Sequence, residues 1–196
     1  MGRLEQFERV EVTSRAQWRD WLSRHYRRAD SVWVVTFKVG ASQPRVPYDD
    51  LVEEALAFGW VDSLPRKLDD QRTMLLMSSR KPGSNWSKVN KARIERLEAA
   101  GLMHPAGLMK IEQARADGSW TALDAVDRLE LPADLTMAFD QHPGAAATFA
   151  TFPPSTRRGI LEWIGNAKRP ETRAARIADT ARKAARGERA NQWRKP

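Results

Sequence analysis

Cysteine is absent from the chain, which excludes disulfides, thiolate nucleophiles and sulfur-ligated zinc. Histidine is scarce. His25 falls at an expected helix end, and His104 and His142 each stand before a proline, so structural roles are expected for all three and a His-rich metal site is not. Long apolar runs are missing too. Nothing approaches the ~20 apolar residues that span a bilayer, and the longest apolar stretch near an expected strand is Val32-Trp33-Val34-Val35. The opening MGRLEQFERVEVTSRAQW is charged and has no apolar h-region. No secretory leader or transmembrane segment is therefore expected, and the cytoplasm is the expected address.

What the chain has is length, tryptophan and an uneven charge. Its 196 residues suffice for one large domain or two small ones, and 41% apolar with 30% charged residues can build a core. Several of the eight tryptophans must be buried, because each carries a large apolar area. The net charge of +8 lies entirely in the last quarter, where 12 of the 33 Lys/Arg and only four of the 25 Asp/Glu follow position 144. Such asymmetry hints at a polyanionic partner.

Periodicity predicts the elements. A short strand over Phe7–Val12 precedes a helix capped by Thr13 or Ser14, with Trp18, Trp21, Leu22 and His25 on one stripe. Ser31–Val39 is β-branched and aromatic and reads as a buried strand. Tyr48–Phe58 reads as a helix ended by Gly59, followed by a strand at Trp60–Asp62, a turn near Asp69-Asp70 and a returning strand at Arg72–Ser78. Ser87 and Pro105 open two further helices, to about Ala100 and Ala116. After a linker at 121–131 every segment up to the tail reads as helical, the last from Pro170 to about Arg186. The expected fold is α+β: a small antiparallel or mixed sheet with flanking helices over 1–120, a linker at 121–131, an all-helical part over 132–187 and a basic tail at 188–196.

The richest candidate site runs from Arg80 to Asn90. Arg80 and Lys81 supply charge, Ser84, Ser87 and Asn90 supply hydroxyl and amide groups, Trp86 supplies a flat face, and a helix N-terminus follows. A phosphate or carboxylate suits such a loop. The same residues also fit a structural role, with Ser87 and Asn90 closing a cap and Trp86 stapling into the core. Trp60 and Asp62 share one strand face and could join this site, Asp62 pairing with Arg80 or acting as an acid or base. Equally, Trp60 belongs to the core and Asp62 to a strand end, and that reading is preferred. Asp49, Asp50, Glu53 and Glu54 offer oxygen ligands at helical spacing, but complementation of the helix dipole explains them without a metal. No metal and no other cofactor is expected. In the C-terminal part Lys168, Arg169, Arg173, Arg176, Arg182, Lys183 and Arg186 form a basic surface. It could follow nucleic-acid phosphates, yet no aromatic residues interleave the cations, and a solvated basic face is preferred.

Read together, Ala55-Leu56-Ala57-Phe58-Gly59-Trp60-Val61-Asp62 and the run Ser79 to Lys91 look like one signature. Gly101-Leu102-Met103, Ala114 to Trp120, Trp163-Ile164 and Ala167 to Arg173 agree with it. The chain resembles the YdeI/OmpD-associated, bacteriocin-protection family. That family pattern usually has proline where this chain has Ser79. The resemblance implies no established reaction, substrate or cofactor, and a role in tolerance to cationic antimicrobial peptides. The expectation is a cytoplasmic binding protein for a small anionic or phosphate-bearing ligand. The alternatives are a non-specific nucleic-acid-binding module led by the basic C-terminal helices, or an enzyme using Asp62 with Arg80. Oligomeric state is not legible in the sequence.

Overall fold

A computed structural model of the chain describes residues 3–192. Of the basic tail read at 188–196, residues 193–196 lie outside the described residues. The chain divides into two compact units, residues 1–121 and 122–196.

In the first unit four strands, β1 (Arg9–Glu11), β2 (Val32–Phe37), β3 (Trp60–Lys67) and β4 (Arg72–Ser79), form a sheet in the order β1-β2-β4-β3. The sheet is mixed: β1 runs parallel to β2, while β2–β4 and β3–β4 are antiparallel. Helix α1 (Arg15–His25) makes the crossover that a parallel pair needs. All six residues of β2 are buried, as its β-branched sequence predicts for a central strand. β3 extends well beyond Asp62. A bulge between Asp62 and Pro65 resets the register and pairing with β4 resumes to Lys67, where Pro65 is tolerated because β3 is an edge strand.

Three more helices complete this unit: α2 (Tyr48–Ala57), α3 (Lys88–Ala99) and α4 (Pro105–Ala116). The core lies between helices and sheet and holds the fully buried Trp18, Trp60 and Trp86. The Trp18 and Trp60 indoles donate to the carbonyls of Leu51 and Tyr26 at 3.0 and 2.9 Å, so neither polar N–H is left without a partner. The acids of α2 meet four arginines. Glu54, 2% exposed, accepts from Arg15 at 2.6 Å and Arg19 at 2.7 Å. Glu53 pairs with Arg15 and Arg96, and Asp49 with Arg93. These carboxylates thus bind α2 to α1 and α3, a stronger reason for their presence than the helix dipole.

The second unit is helical among its described residues: α5 (Asp124–Asp127), α6 (Ala133–Asp140), α7 (Ala145–Thr151), α8 (Pro154–Gly165) and α9 (Pro170–Ala184). The segment read as a linker holds α5, and Val126 and Leu129 pack on a core of Leu135, Phe139, Phe149, Ile160, Ile164 and Ile177. Helix α9 buries Ile177, Thr180, Ala181 and Ala184. The sequence places Ala174, Ile177, Ala178, Ala181 and Ala185 on one apolar stripe, but the buried stripe is rotated from it, and Ala174, Ala178 and Ala185 are exposed.

Candidate functional site

The loop from Arg80 to Ser87 leaves β4 and enters α3. Arg80 is 4% exposed and lies flat on Trp86, its guanidinium carbon 3.6 Å from the ring centroid. Nη1 donates to the Asn85 carbonyl at 3.0 Å, while Nε is buried without a partner among the described residues. Burial lowers the Arg80 guanidinium to about 10, although the charge of Asp62 works in the opposite direction. Trp86 is 2% exposed, with Arg80 over its ring and Trp120 at 5.1 Å. Ser84 Oγ donates to the Lys81 carbonyl at 2.7 Å, and Ser87 Oγ accepts from Asn90 N at 3.2 Å as the cap of α3. Asn90 Oδ1 accepts from Arg93.

The sequence-predicted residues thus divide. Arg80, Lys81, Ser84 and Trp86 come together around a space of only about 10 Å³, room for about one water. Ser87 serves the cap, Asn90 gives it only a backbone N–H and turns its side-chain oxygen to Arg93, and Trp60 serves the core. Asp62 accepts from the Tyr48 hydroxyl at 2.7 Å; burial, then this bond, raises that phenol to about 12. Asp62 acts on Arg80 through its charge, with no ion pair between them among the described residues. The structural roles foreseen for Trp60, Trp86 and Ser87 account for their positions.

Larger space lies on the other side of Lys110, which lines both cavities. Here α4 sits on the end of α2 more closely than side chains ordinarily allow. Gly107 has no side chain because a Cβ would stand 2.2 Å from the Ala57 carbonyl oxygen. Gly59, at φ +77°, is crossed by the Lys110 stem, whose Cγ would lie 2.7 Å from a Cβ there. His104 N donates to the Ala57 carbonyl at 3.0 Å, and His104 Nδ1 accepts from Ala106 N at 3.1 Å. This seating brings His104 against Phe58, stacked at 4.6 Å, and against Tyr26 at 4.8 Å.

The result is a cleft of about 410 Å³, walled by Tyr26, Phe58 and His104 and flanked by Arg27 and Lys110, with Ser79 at its edge. None of its lining residues, among the described ones, is acidic. The first N–H groups of α4 are already occupied, Ala106 N by His104 Nδ1 and Gly107 N by the His104 carbonyl. Attraction for an anion here therefore rests on Arg27, Lys110 and the dipole of α4. His104 is held below its ordinary value, first by burial and then by the positive charge of Arg19. Its accepting Nδ1 places the neutral ring's proton on Nε2. Sequence reasoning missed this cleft. Its one local signal was a histidine before a first-turn proline, a position at which the imidazole can cap a helix.

On the second unit the predicted basic surface is largely engaged. Arg173 pairs with Asp134 at 2.6 Å, Arg182 and Lys183 pair with Asp179 at 2.7 and 2.8 Å, and Arg176 donates to the Trp163 carbonyl. Lys168, Arg169 and Arg186 are exposed and make no ion pair among the described residues. Only three of the seven predicted cations thus remain unengaged among the described residues, few for a phosphate-tracking surface. Among the described residues there is no group of three or more His, Asp or Glu arranged to hold a metal, and no helix long and apolar enough to cross a membrane.

Comparison with known families follows the two units. Residues 10–110, just over half of the chain, match the family described as a domain of unknown function, DUF8412. Residues 128–187 match the family described as bacteriocin-protection, YdeI or OmpD-associated. The chain belongs to the DUF8412 family, and its C-terminal unit carries a YdeI/OmpD-associated domain. No curated protein and no solved structure matches it. Of the residues that carried the resemblance, those from Ala55 to Lys91 and from Gly101 to Met103 lie within the DUF8412 match, as do the cleft residues. Trp163-Ile164 and Ala167 to Arg173 lie within the YdeI/OmpD-associated domain.

Proposed function

We propose that this DUF8412-family chain is a binding protein for a small anionic ligand carrying a planar or apolar group, taken up in the cleft beside α4. The observation that carries the reading is the cleft's composition: two cations, three rings and no lining carboxylate within about 410 Å³, a size typical of small-molecule sites. Arg27 and Lys110 attract the charge, and the rings of Tyr26, Phe58 and His104 receive the flat portion. Ser79 and the neutral imidazole of His104 add hydroxyl and N–H donors, which a phosphate or carboxylate accepts. The proposal takes the cytoplasm as the working compartment. It connects ligand capture to the antimicrobial-peptide tolerance that the description of the second unit's family suggests.

Thermal denaturation of the full chain against a panel of nucleoside monophosphates, pyrophosphate and aromatic carboxylates tests it. At least one member should raise Tm at low salt, and the shift should shrink in 0.5 M chloride (roughly a 4–5 Å Debye length). Arg27→Ala with Lys110→Ala should abolish it. A panel without effect, or a shift that survives the double substitution, refutes the reading.

A further inference from the structure

A second cavity lies at the opposite end of the core, where α2 stops short of covering the sheet. It has about 110 Å³ and is roofed by the β2–α2 connection. Register explains its position. Thr36 pairs with Thr73, and Val34 with Leu75, so Thr36, Thr73 and Leu75 share the face that α2 covers. Helix α2 begins only at Tyr48, and the stretch ending at Val46 closes over the Thr36–Thr73 end. Val46 is 2% exposed and its N–H donates to Thr36 Oγ1 at 3.0 Å, which pins the roof to the sheet.

Every polar side chain that faces this space is occupied elsewhere, with one exception. Thr36 accepts from Val46, Thr73 Oγ1 donates to the Arg66 carbonyl at 3.1 Å, and Tyr48 donates to Asp62. Of the remaining lining residues, Val46, Leu51, Pro65 and Leu75 are hydrocarbon, and Met74 packs into the cluster on the other face of the sheet. Arg45 is the exception. It is exposed, lies on the lining, and has no hydrogen bond or ion pair among the described residues. A largely apolar chamber with a single cation on its wall is complementary to a molecule with an apolar tail and one negative head.

We propose that this chamber binds a small hydrophobic carboxylate, its tail among Leu51, Pro65 and Leu75 and its carboxylate on Arg45. An apolar cavity of ~150 Å³ accepts the six carbons of a benzene ring, so about 110 Å³ accommodates a tail of about four carbons. This site is distinct from the cleft beside α4, whose lining residues it does not share.

The experiment is titration calorimetry on the full chain with straight-chain carboxylates from acetate to octanoate and the matching alcohols. Affinity should rise about 4-fold per added methylene and then fall once the tail exceeds the chamber. Each acid should exceed its alcohol by about 3-fold at low salt, and Arg45→Ala should erase that difference. Thr73→Ile, which keeps a β-branched strand residue and fills the chamber, should abolish binding, while Arg27→Ala and Lys110→Ala leave it unchanged. No binding, the absence of a length cut-off, or equal affinity of acid and alcohol overturns the proposal. So does binding that persists in Thr73→Ile or is lost in Lys110→Ala, the latter locating it in the cleft beside α4.

Discussion

Replacing Gly107 by alanine should destabilise the first unit, although the same substitution in an open helix position stabilises. Gly107 lies in the first turn of α4, and the usual effect of Gly→Ala in a helix is a gain of about 0.5–1 kcal/mol. Here the new methyl carbon would stand 2.2 Å from the Ala57 oxygen and 2.9 Å from its carbonyl carbon. Both are backbone atoms at the end of α2, and a rotamer change cannot relieve them. To reach ordinary contact α4 must withdraw by roughly 1 Å. That loosens the bond from His104 N to Ala57 O, worth about 1 kcal/mol, and adds an overpacking cost of about 1–3 kcal/mol. After the helix-propensity gain the net loss is about 2 kcal/mol. Gly159, inside α8, is the control, because a Cβ there meets nothing within 4 Å and Gly159→Ala should gain about 0.5–1 kcal/mol. Urea denaturation followed by circular dichroism measures both, and hydrogen exchange assigns each change to its unit. If Gly107→Ala is as stable as the parent, the close seating of α4 on α2, and with it the shape of the cleft, is wrong.

Two further outcomes follow from named contacts. The folded chain holds His104 below the ordinary imidazole value, so the unfolded chain takes up that proton first as pH falls. The contribution is fully present above the unfolded value near ~6.5 and declines below it, by at most about 1.4 kcal/mol per pH unit. His104→Asn keeps an acceptor for Ala106 N, and its stability between neutral and mildly acidic pH should vary less than the parent's; equal slopes would remove His104 as the cause. Glu54→Gln leaves Arg15 and Arg19 facing a neutral amide. Because these guanidinium groups are 34% and 36% exposed, the loss should be about 1–3 kcal/mol, below that of a fully buried pair. A denaturation midpoint unchanged from the parent's would mean that solvent already screens the cluster.

Helices α1 to α4 and α9 were legible because each carried its own punctuation: Ser14 and Ser87 as caps, Gly59 and Gly101 as stops, Pro105 and Pro170 at first turns; α5, with no such signal, reads as a linker. Strand β2 was legible from its unbroken apolar run. The extension of β3 was not, because Pro65 breaks the local signal and only pairing across a bulge with β4 restores the strand. Nor could sequence decide which way Arg80 points. An arginine in a polar loop reads as exposed, but Trp86 six residues later offers its ring face as a buried seat. The cleft was illegible for another reason. Tyr26, Phe58 and His104 come from three separate segments, and they meet because two glycines let α4 approach the α2–β3 turn. Glycine's contribution there is the absence of a side chain, and hydrophobic periodicity does not register an absence.

The outer strands of the sheet have a consequence for solubility. Strand β1 offers only three residues, Arg9–Glu11, to a newcomer. Strand β3 offers a kinked rim that lacks one N–H at Pro65 and continues into Arg66 and Lys67. An incoming extended segment would have to match the bulge, forgo a hydrogen bond and approach two cations. Both rims therefore resist templated cross-β growth. Straightening the β3 rim, by deleting one bulge residue and replacing Pro65 with valine, should favour aggregation during refolding even where native stability is unchanged.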